Sequence, residues 1–175
     1  MPAKKIRGIK SGGHIVLVEP GRAAAVGLPD GDAVLRRLFI GEGFETVLSV
    51  WTALAARRSR LLDGAGFRTS VDLGNLGGKA SDRIPHPTET KTDSAGRVRR
   101  VKVPGIVPDL ESRAVVVPAS VEDLHLIGDG DSEPFRTRCV LARAAARHAR
   151  PNRVVRLVMA PKGQDFNDMI RMGGQ

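Results

Sequence analysis

The sequence predicts an α/β fold, a mostly parallel sheet flanked by helices, and three observations carry that expectation. Short apolar or β-branched runs alternate along the chain with segments of helical period. The runs over 37–41 and 124–127 are apolar without alternation, as strands buried on both faces require. Each of them then breaks into glycine and acid, which is how strands end at the ligand-binding edge of an open sheet.

Taken in order, His14 opens a β-branched run over 14–18, bounded by Gly12-Gly13 and Glu19-Pro20-Gly21, that reads as a peripheral strand. A turn-rich stretch, GLPDG over 27–31, precedes the strand at 37–41. From Thr46 the period becomes helical, with Val47, Trp51, Leu54 and Leu61 on one face. Arg57, Arg58 and Arg60 fall near its end, where cations complement the helix dipole, and Gly64 and Gly66 stop it. A second strand is expected over 69–73, leading into the glycine-rich turn GNLGGK over 74–79.

Beyond that turn the composition changes. Residues 81–108 are rich in proline, threonine and charge and lack a helical period, so an insertion is expected over about 81–113. Inside it, GRVRRVKV over 96–103 alternates cation and valine, the period of a strand or β-ribbon with one basic edge. Order resumes at 114–117 and in the strand at 124–127. A helix follows over 133–149 with Asp131 or Ser132 as N-cap, then a strand over 153–159 and a short helix over 165–172.

Composition bounds the function. The 175 residues suit one domain with an insertion, and the core must come from Val, Leu, Ile and Ala because aromatics supply only 3%. Lys and Arg number 28 against 19 Asp and Glu, a formal charge of +9, which suits a chain that meets polyanions such as nucleic acid. The single cysteine, Cys139, excludes a disulfide framework and any zinc site needing two thiolates of this chain, and it fits a reducing compartment. No apolar stretch is long enough for a signal-peptide core or a membrane span, so a soluble, cytoplasmic protein is expected.

The chemistry is expected where the strands end, and there the residues are acids. Glu42 follows the first buried strand with Glu45 one helical turn on, Asp129 and Asp131 follow the next, and Asp165 and Asp168 follow the last. Carboxylates converging at one sheet edge repel unless divalent cations neutralise them, and hard oxygen donors select Mg²⁺ or Mn²⁺. The competing reading is that each acid simply caps a helix. Six of the 19 acids belong to this group, so the remaining surface is more basic than +9 suggests.

The strings LFIGEGFETVLS over 38–49, IGDGD over 127–131 and APKGQDFND over 160–168 resemble the Toprim family, closest to the Toprim modules of phage- and plasmid-type DNA primases, including the primase-helicase type. The resemblance implies a Rossmann-like Toprim domain over 37–175, interrupted by the insertion and preceded by a strand and turn-rich extension over 1–36. It implies that Glu42 acts as general acid or base, that Asp129 and Asp131 hold Mg²⁺, that Asp165 and Asp168 complete the metal cluster, and that Glu45 assists. It also implies primer synthesis on single-stranded DNA from nucleotides. Two metals clamping an in-line displacement need such a carboxylate set. The chain departs from the family at Ser132-Glu133-Pro134-Phe135, where a small residue and glycine are usual. It shows neither the polymerase subdomain nor the zinc module, so a helicase or a template-binding zinc module on another chain is the expected partner, with no membrane involved.

Basic features add to this reading. Arg136, Arg143, Arg147 and Arg150 share one face of the helix over 133–149, suited to a phosphate backbone or to a solvated outer surface. Arg97, Arg99, Arg100 and Lys102 line the basic ribbon, where an exposed insertion has no packing need for four cations. Neither stripe carries interleaved aromatics, so sequence-independent backbone contact is expected rather than base stacking. The loop ending in Lys79 lacks the first glycine and the hydroxyl of a phosphate-binding loop and reads as a tight turn, with Lys79 within reach of a nucleotide phosphate. His14, His86, His125 and His148 show no ligand spacing, and His125 and Cys139 read as core residues. Alternatives to primase chemistry are a nuclease built on the same carboxylates and a non-catalytic DNA- or replisome-binding module.

Overall fold

The computed structural model describes residues 11–20, 34–131 and 133–173. The turn expected at 27–31 and the candidate cap Ser132 lie outside the described residues. In chain order the elements are β1 (Ile15–Val18), β2 (Arg37–Gly41), α1 (Phe44–Ala56), β3 (Ala65–Thr69), α2 (Leu73–Gly77), β4 (Arg83–Thr92), β5 (Val98–Pro104), β6 (Asp123–Gly128), α3 (Pro134–His148), β7 (Val154–Met159) and α4 (Phe166–Gly173).

Five strands form one sheet in the order β1-β3-β2-β6-β7. β1 runs antiparallel on the edge, so part of the N-terminal extension joins the main sheet, and the other four strands are parallel. The fold is α/β with a mixed, mostly parallel sheet flanked by helices, compatible with a Rossmann-like architecture. From β2 the chain moves to β3 on one side and later reaches β6 on the other. The carboxyl ends of β2 and β6 therefore flank a topological switch point, where open sheets of this kind leave a crevice.

The apolar run of β2 is divided between two cores because side chains alternate along a strand. Leu38 and Ile40 join Leu124, Leu126, Leu141 and Ala144 beneath α3. Phe39 joins Phe67, Ile127 and Val47 beneath α1, with Trp51, Leu54 and Phe166 at its margin. The few aromatics are concentrated here: the Phe39 and Phe67 rings stack at 4.6 Å, and His125, buried as expected, stacks on Phe39 at 4.2 Å. Full burial of each such side chain contributes about 1.5–3 kcal/mol, so these two layers fix how β2 and β6 lie together.

Three local readings are corrected. The strand expected at 69–73 is β3, over Ala65–Thr69, because Gly66 does not end a helix but fills a close contact: a Cβ there would meet Leu35 Cδ1 at 2.7 Å. α1 closes at Ala56, and Leu61 belongs to a separate 3-10 turn over Arg60–Leu62, so the cations 57, 58 and 60 follow the helix rather than form its last turn. The glycine-rich turn contains the short helix α2, capped by Asp72 Oδ1, which accepts the Asn75 N–H at 2.8 Å.

The insertion carries the expected β-ribbon, β4 antiparallel to β5. Its neck is stapled by backbone bonds from Ser81 N–H to the Val107 carbonyl and from Asp109 N–H to the Lys79 carbonyl. The cap of α3 is Glu133 rather than Asp131, its carboxylate accepting the N–H groups of Phe135 at 3.0 Å and Arg136 at 2.7 Å. Pro134 occupies the first turn, where its missing N–H costs nothing. No helix among the described residues is long and apolar enough to cross a membrane.

Candidate metal and phosphate site

Because Gly41 pairs in register with Ile127 on one side and Thr69 on the other, the chain leaves β2, β3 and β6 at the same level of the sheet. The side chains that follow these strands surround an open cleft of about 520 Å³, lined by Glu42, Glu45, Asp129, Asp131 and Asp165 together with Thr46 and Thr69. Five of the six acids singled out in the sequence thus share one cleft. The sixth, Asp168, is not among the lining residues and is engaged next door.

The backbone of the cleft is tightly specified. The Ser70 N–H donates to the Gly41 carbonyl at 2.8 Å, and the Thr69 hydroxyl donates to the Glu42 carbonyl, fixing where Glu42 leaves the sheet. Val71, which also lines the cleft, sits at φ +72°, in the left-handed region that a β-branched residue adopts only under constraint. Gly130, between the two aspartates, donates its N–H to the Gln164 carbonyl at 3.0 Å and accepts from Gly163 at 2.8 Å. A Cβ at 130 would lie 2.0 Å from the Pro161 carbonyl oxygen. The glycine is what lets the loop after β7 close over the Asp129–Asp131 turn and carry Asp165 into the cleft.

Asp165 and Asp168 also cap α4 reciprocally. Asp165 Oδ1 accepts the Asp168 N–H at 2.7 Å, and Asp168 Oδ2 faces the Asp165 N–H at 3.4 Å. The capping reading of these acids and the cleft reading of Asp165 therefore coexist, whereas the Asp168 carboxylate serves the helix.

At the centre lies Asp129, half-buried, with both carboxylate oxygens facing the Thr46 hydroxyl at 2.8 and 3.0 Å. Burial pushes its pKa up, the Thr46 hydroxyl opposes this, and the charges of Asp131 and Asp165 raise it further. A cleft that gathers several carboxylates around one held above its ordinary range by burial, and to a lesser degree by its acidic neighbours, favours a cation, and the donor set is hard oxygen throughout. Thr46 was missed in the sequence. Its only signal there is a hydroxyl residue one turn after Glu42 at the start of a helix.

The basic residues are placed differently from one another. Arg143 is 3% exposed and donates from Nε to the Gly78 carbonyl at 3.1 Å and from Nη1 to the Gly105 carbonyl. Arg147 is bound to the Ser112 carbonyl at 3.1 Å, the Ser112 hydroxyl at 2.9 Å and the Asp109 carbonyl. Arg150 donates to the carbonyls of Ala119 and Val121, and Arg136 pairs with Glu89 and Glu133. The stripe expected to meet a phosphate backbone or solvent instead clamps the insertion and the following loop onto α3, because a sequence pattern cannot show that another segment covers that face. Lys79 is exposed beside a separate cleft of about 830 Å³, with Arg83 and Arg113, that shares no lining residue with the acidic one. Arg97, Arg99, Arg100 and Lys102 are exposed on the ribbon as expected.

One histidine does have acidic company. His86, buried at the base of the ribbon, places Nε2 3.3 Å from Glu133 Oε1 and 3.7 Å from Glu89 Oε1. Donor atoms of these three residues lie within 4.8 Å of one another, and the group could hold a metal ion. The Glu89 N–H donates to His86 Nδ1 at 2.8 Å, which leaves the proton of the neutral ring on Nε2, facing Glu133; a cation at Nε2 would require the opposite tautomer, with the proton on Nδ1, at the cost of the Glu89 hydrogen bond. The grouping was not legible in the sequence because Glu133 joins it from 47 positions away. Compared with protein-family models, curated proteins and solved structures, the chain matches none.

Proposed function

We propose that this chain is a Toprim-type module that carries out Mg²⁺-dependent nucleotidyl transfer on DNA, of the kind that makes primers on a single-stranded template. The observation that carries the reading is the convergence of Glu42, Asp129, Asp131 and Asp165 at the switch point of the sheet. Asp129, Asp131 and Asp165 would hold the divalent cations, which supply charge neutralisation on the phosphates and orient them for in-line displacement. Glu42 lines the same cleft and takes the proton of the attacking hydroxyl. That oxygen bonds to the α-phosphorus of an incoming nucleotide while the bond to the pyrophosphate leaving group breaks. Thr46 keeps the Asp129 carboxylate oriented, and the stapled loop over 160–164 keeps Asp165 in place.

The test supplies the purified chain with single-stranded DNA, ribonucleotides and Mg²⁺ or Mn²⁺, alone and with a replicative helicase. Glu42→Gln and Asp129→Asn are run in parallel. Primer products lost in both variants support the reading. Metal-dependent shortening of the DNA would replace it with a nuclease, and absence of any product with DNA binding unchanged in both variants would overturn it for this chain.

A further inference from the structure

The register of the ribbon sets Lys91 of β4 directly opposite Arg99 of β5. Cross-strand partners stand about 5 Å apart at Cβ, and like charges in that position destabilise a strand pair. Both residues are exposed, and among the described residues Lys91 has no ion-pair partner. Among the described residues, the carboxylate paired with cations at this end of the ribbon is Asp93. Its Oδ1 accepts the turn N–H groups of Ala95 and Arg97, each at 3.0 Å. Its Oδ2 is shared between Arg97 Nε at 3.0 Å and Arg99 Nε at 3.2 Å. Two arginines therefore share one carboxylate at an exposed tip, with Lys91 across from one of them. Exposed ion pairs are weak, so Asp93 releases its two arginines at little cost when a stronger anion arrives.

Arg100 is not equivalent. It alternates to the other face of β5, and its guanidinium donates to the carbonyls of Pro87 and of His86, the latter at 3.3 Å, bracing the bulge in β4. The base of the ribbon is held as well, since Glu89 is bound to Arg136 and His86 to Glu133. The ribbon is thus a braced arm whose cationic tip is only partly neutralised by Asp93.

Building on the proposed DNA substrate, we propose that the Lys91–Arg99 face, with Arg97, is the docking point for the phosphodiester backbone of nucleic acid, and that Arg100 serves the arm rather than the ligand. The ribbon sequence contains no Phe, Tyr or Trp, and its one imidazole, His86, is buried against Phe135, so contact is to phosphates and is independent of base sequence.

Equilibrium binding to fluorescent single-stranded and duplex DNA, measured without divalent metal across a salt series, tests this separately from catalysis. Lys91→Ala and Arg99→Ala should each weaken binding and flatten the slope of log K against log salt by about one unit, uniformly across sequences. Arg100→Ala should leave the slope unchanged. Asp93→Asn keeps the acceptor for the turn but removes its charge, and it should tighten binding. Lys91→Ala and Arg99→Ala relieve repulsion at exposed positions, so their thermal unfolding should not fall. A wild-type slope in both variants, or looser binding in Asp93→Asn, overturns the inference. So does binding to anionic phosphatidylglycerol vesicles that depends on Lys91 when DNA binding does not. Primer synthesis that persists in Lys91→Ala with a wild-type salt slope would overturn the docking point while leaving the proposed chemistry standing.

Discussion

The Thr46 hydroxyl lies 2.8 and 3.0 Å from the two carboxylate oxygens of Asp129, joining the first turn of α1 to the loop after β6 across the switch point. One hydroxyl proton cannot satisfy both oxygens at once, so the contact orients the carboxylate and leaves lone pairs facing the cleft. Groups that orient a ligand are typically worth about 10–100-fold in metal affinity. Thr46→Val should weaken Mn²⁺ binding by about tenfold on that scale, and Thr46→Ser, which keeps the hydroxyl, should restore most of it. Titration calorimetry reads this without activity, and equal affinities in the Val and Ser variants would contradict it.

Gly130 predicts a steric failure. A methyl group there meets the Pro161 carbonyl oxygen at 2.0 Å and that of Ala160 at 2.7 Å, both backbone atoms of the loop that carries Asp165. Gly130→Ala should cost about 1–3 kcal/mol or more, the usual range for overpacking, and should also loosen metal binding by displacing Asp165. Urea unfolding gives the first quantity and calorimetry the second.

Arg143 holds the insertion from inside. Its two charge-assisted bonds to the Gly78 and Gly105 carbonyls are buried, and such bonds are worth about 1.5–3 kcal/mol each. Arg143→Ala should lose about 3 kcal/mol or more and expose the neck of the ribbon to protease. Arg143→Lys should recover little, because an ammonium does not reproduce the fork. Limited proteolysis showing an unaltered neck would rule out the clamp.

His148 predicts an acid limit. Burial, with the charges of Arg153 and Arg147 acting in the same direction, lowers its pKa from 6.5 to about 4. The unfolded chain then binds a proton that the folded chain refuses between these values, so stability is full above pH 6.5 and falls as pH drops toward 4. The slope from this one group is at most about 1.4 kcal/mol per pH unit. His148→Leu should flatten the pH dependence of the unfolding midpoint in that window, and an unchanged profile would exclude His148 as its source.

The cleft also has a pH signature of its own. The pKa of Asp129 is raised in the folded chain, so its ionised form opposes folding at neutral pH, and stability from this group increases as pH falls through the raised value. Asp129→Asn should therefore raise the metal-free unfolding midpoint at neutral pH. The advantage should disappear in acid below the ordinary aspartate range, and denaturation without divalent cations at both extremes checks it.

Much of the sheet was legible because its signals are local. The unbroken apolar run of β2 and the glycine and acid that follow it announce a buried strand and its carboxyl end without reference to any other residue. The same holds for β6, β7 and the alternating ribbon. Glycine was the weak point: Gly66 and Gly74 read as breaks, yet one lies in a strand and one in a helix, because close approach of Leu35 and the Asp72 cap outweigh propensity.

Contacts between distant segments were not legible. Residue order alone placed acids after three strands, since a parallel sheet brings its carboxyl ends to one edge whatever the detail. Only the folded chain decided that Asp165 enters the cleft while Asp168 caps a helix, and that Thr46 orients Asp129. It also decided that Arg143 and Arg147 of α3 bind carbonyls of the insertion. A guanidinium on an amphipathic helix looks the same in sequence whether it meets solvent, phosphate or a buried carbonyl. Which of these it meets depends on whether another segment covers it, and that is a property of tertiary packing.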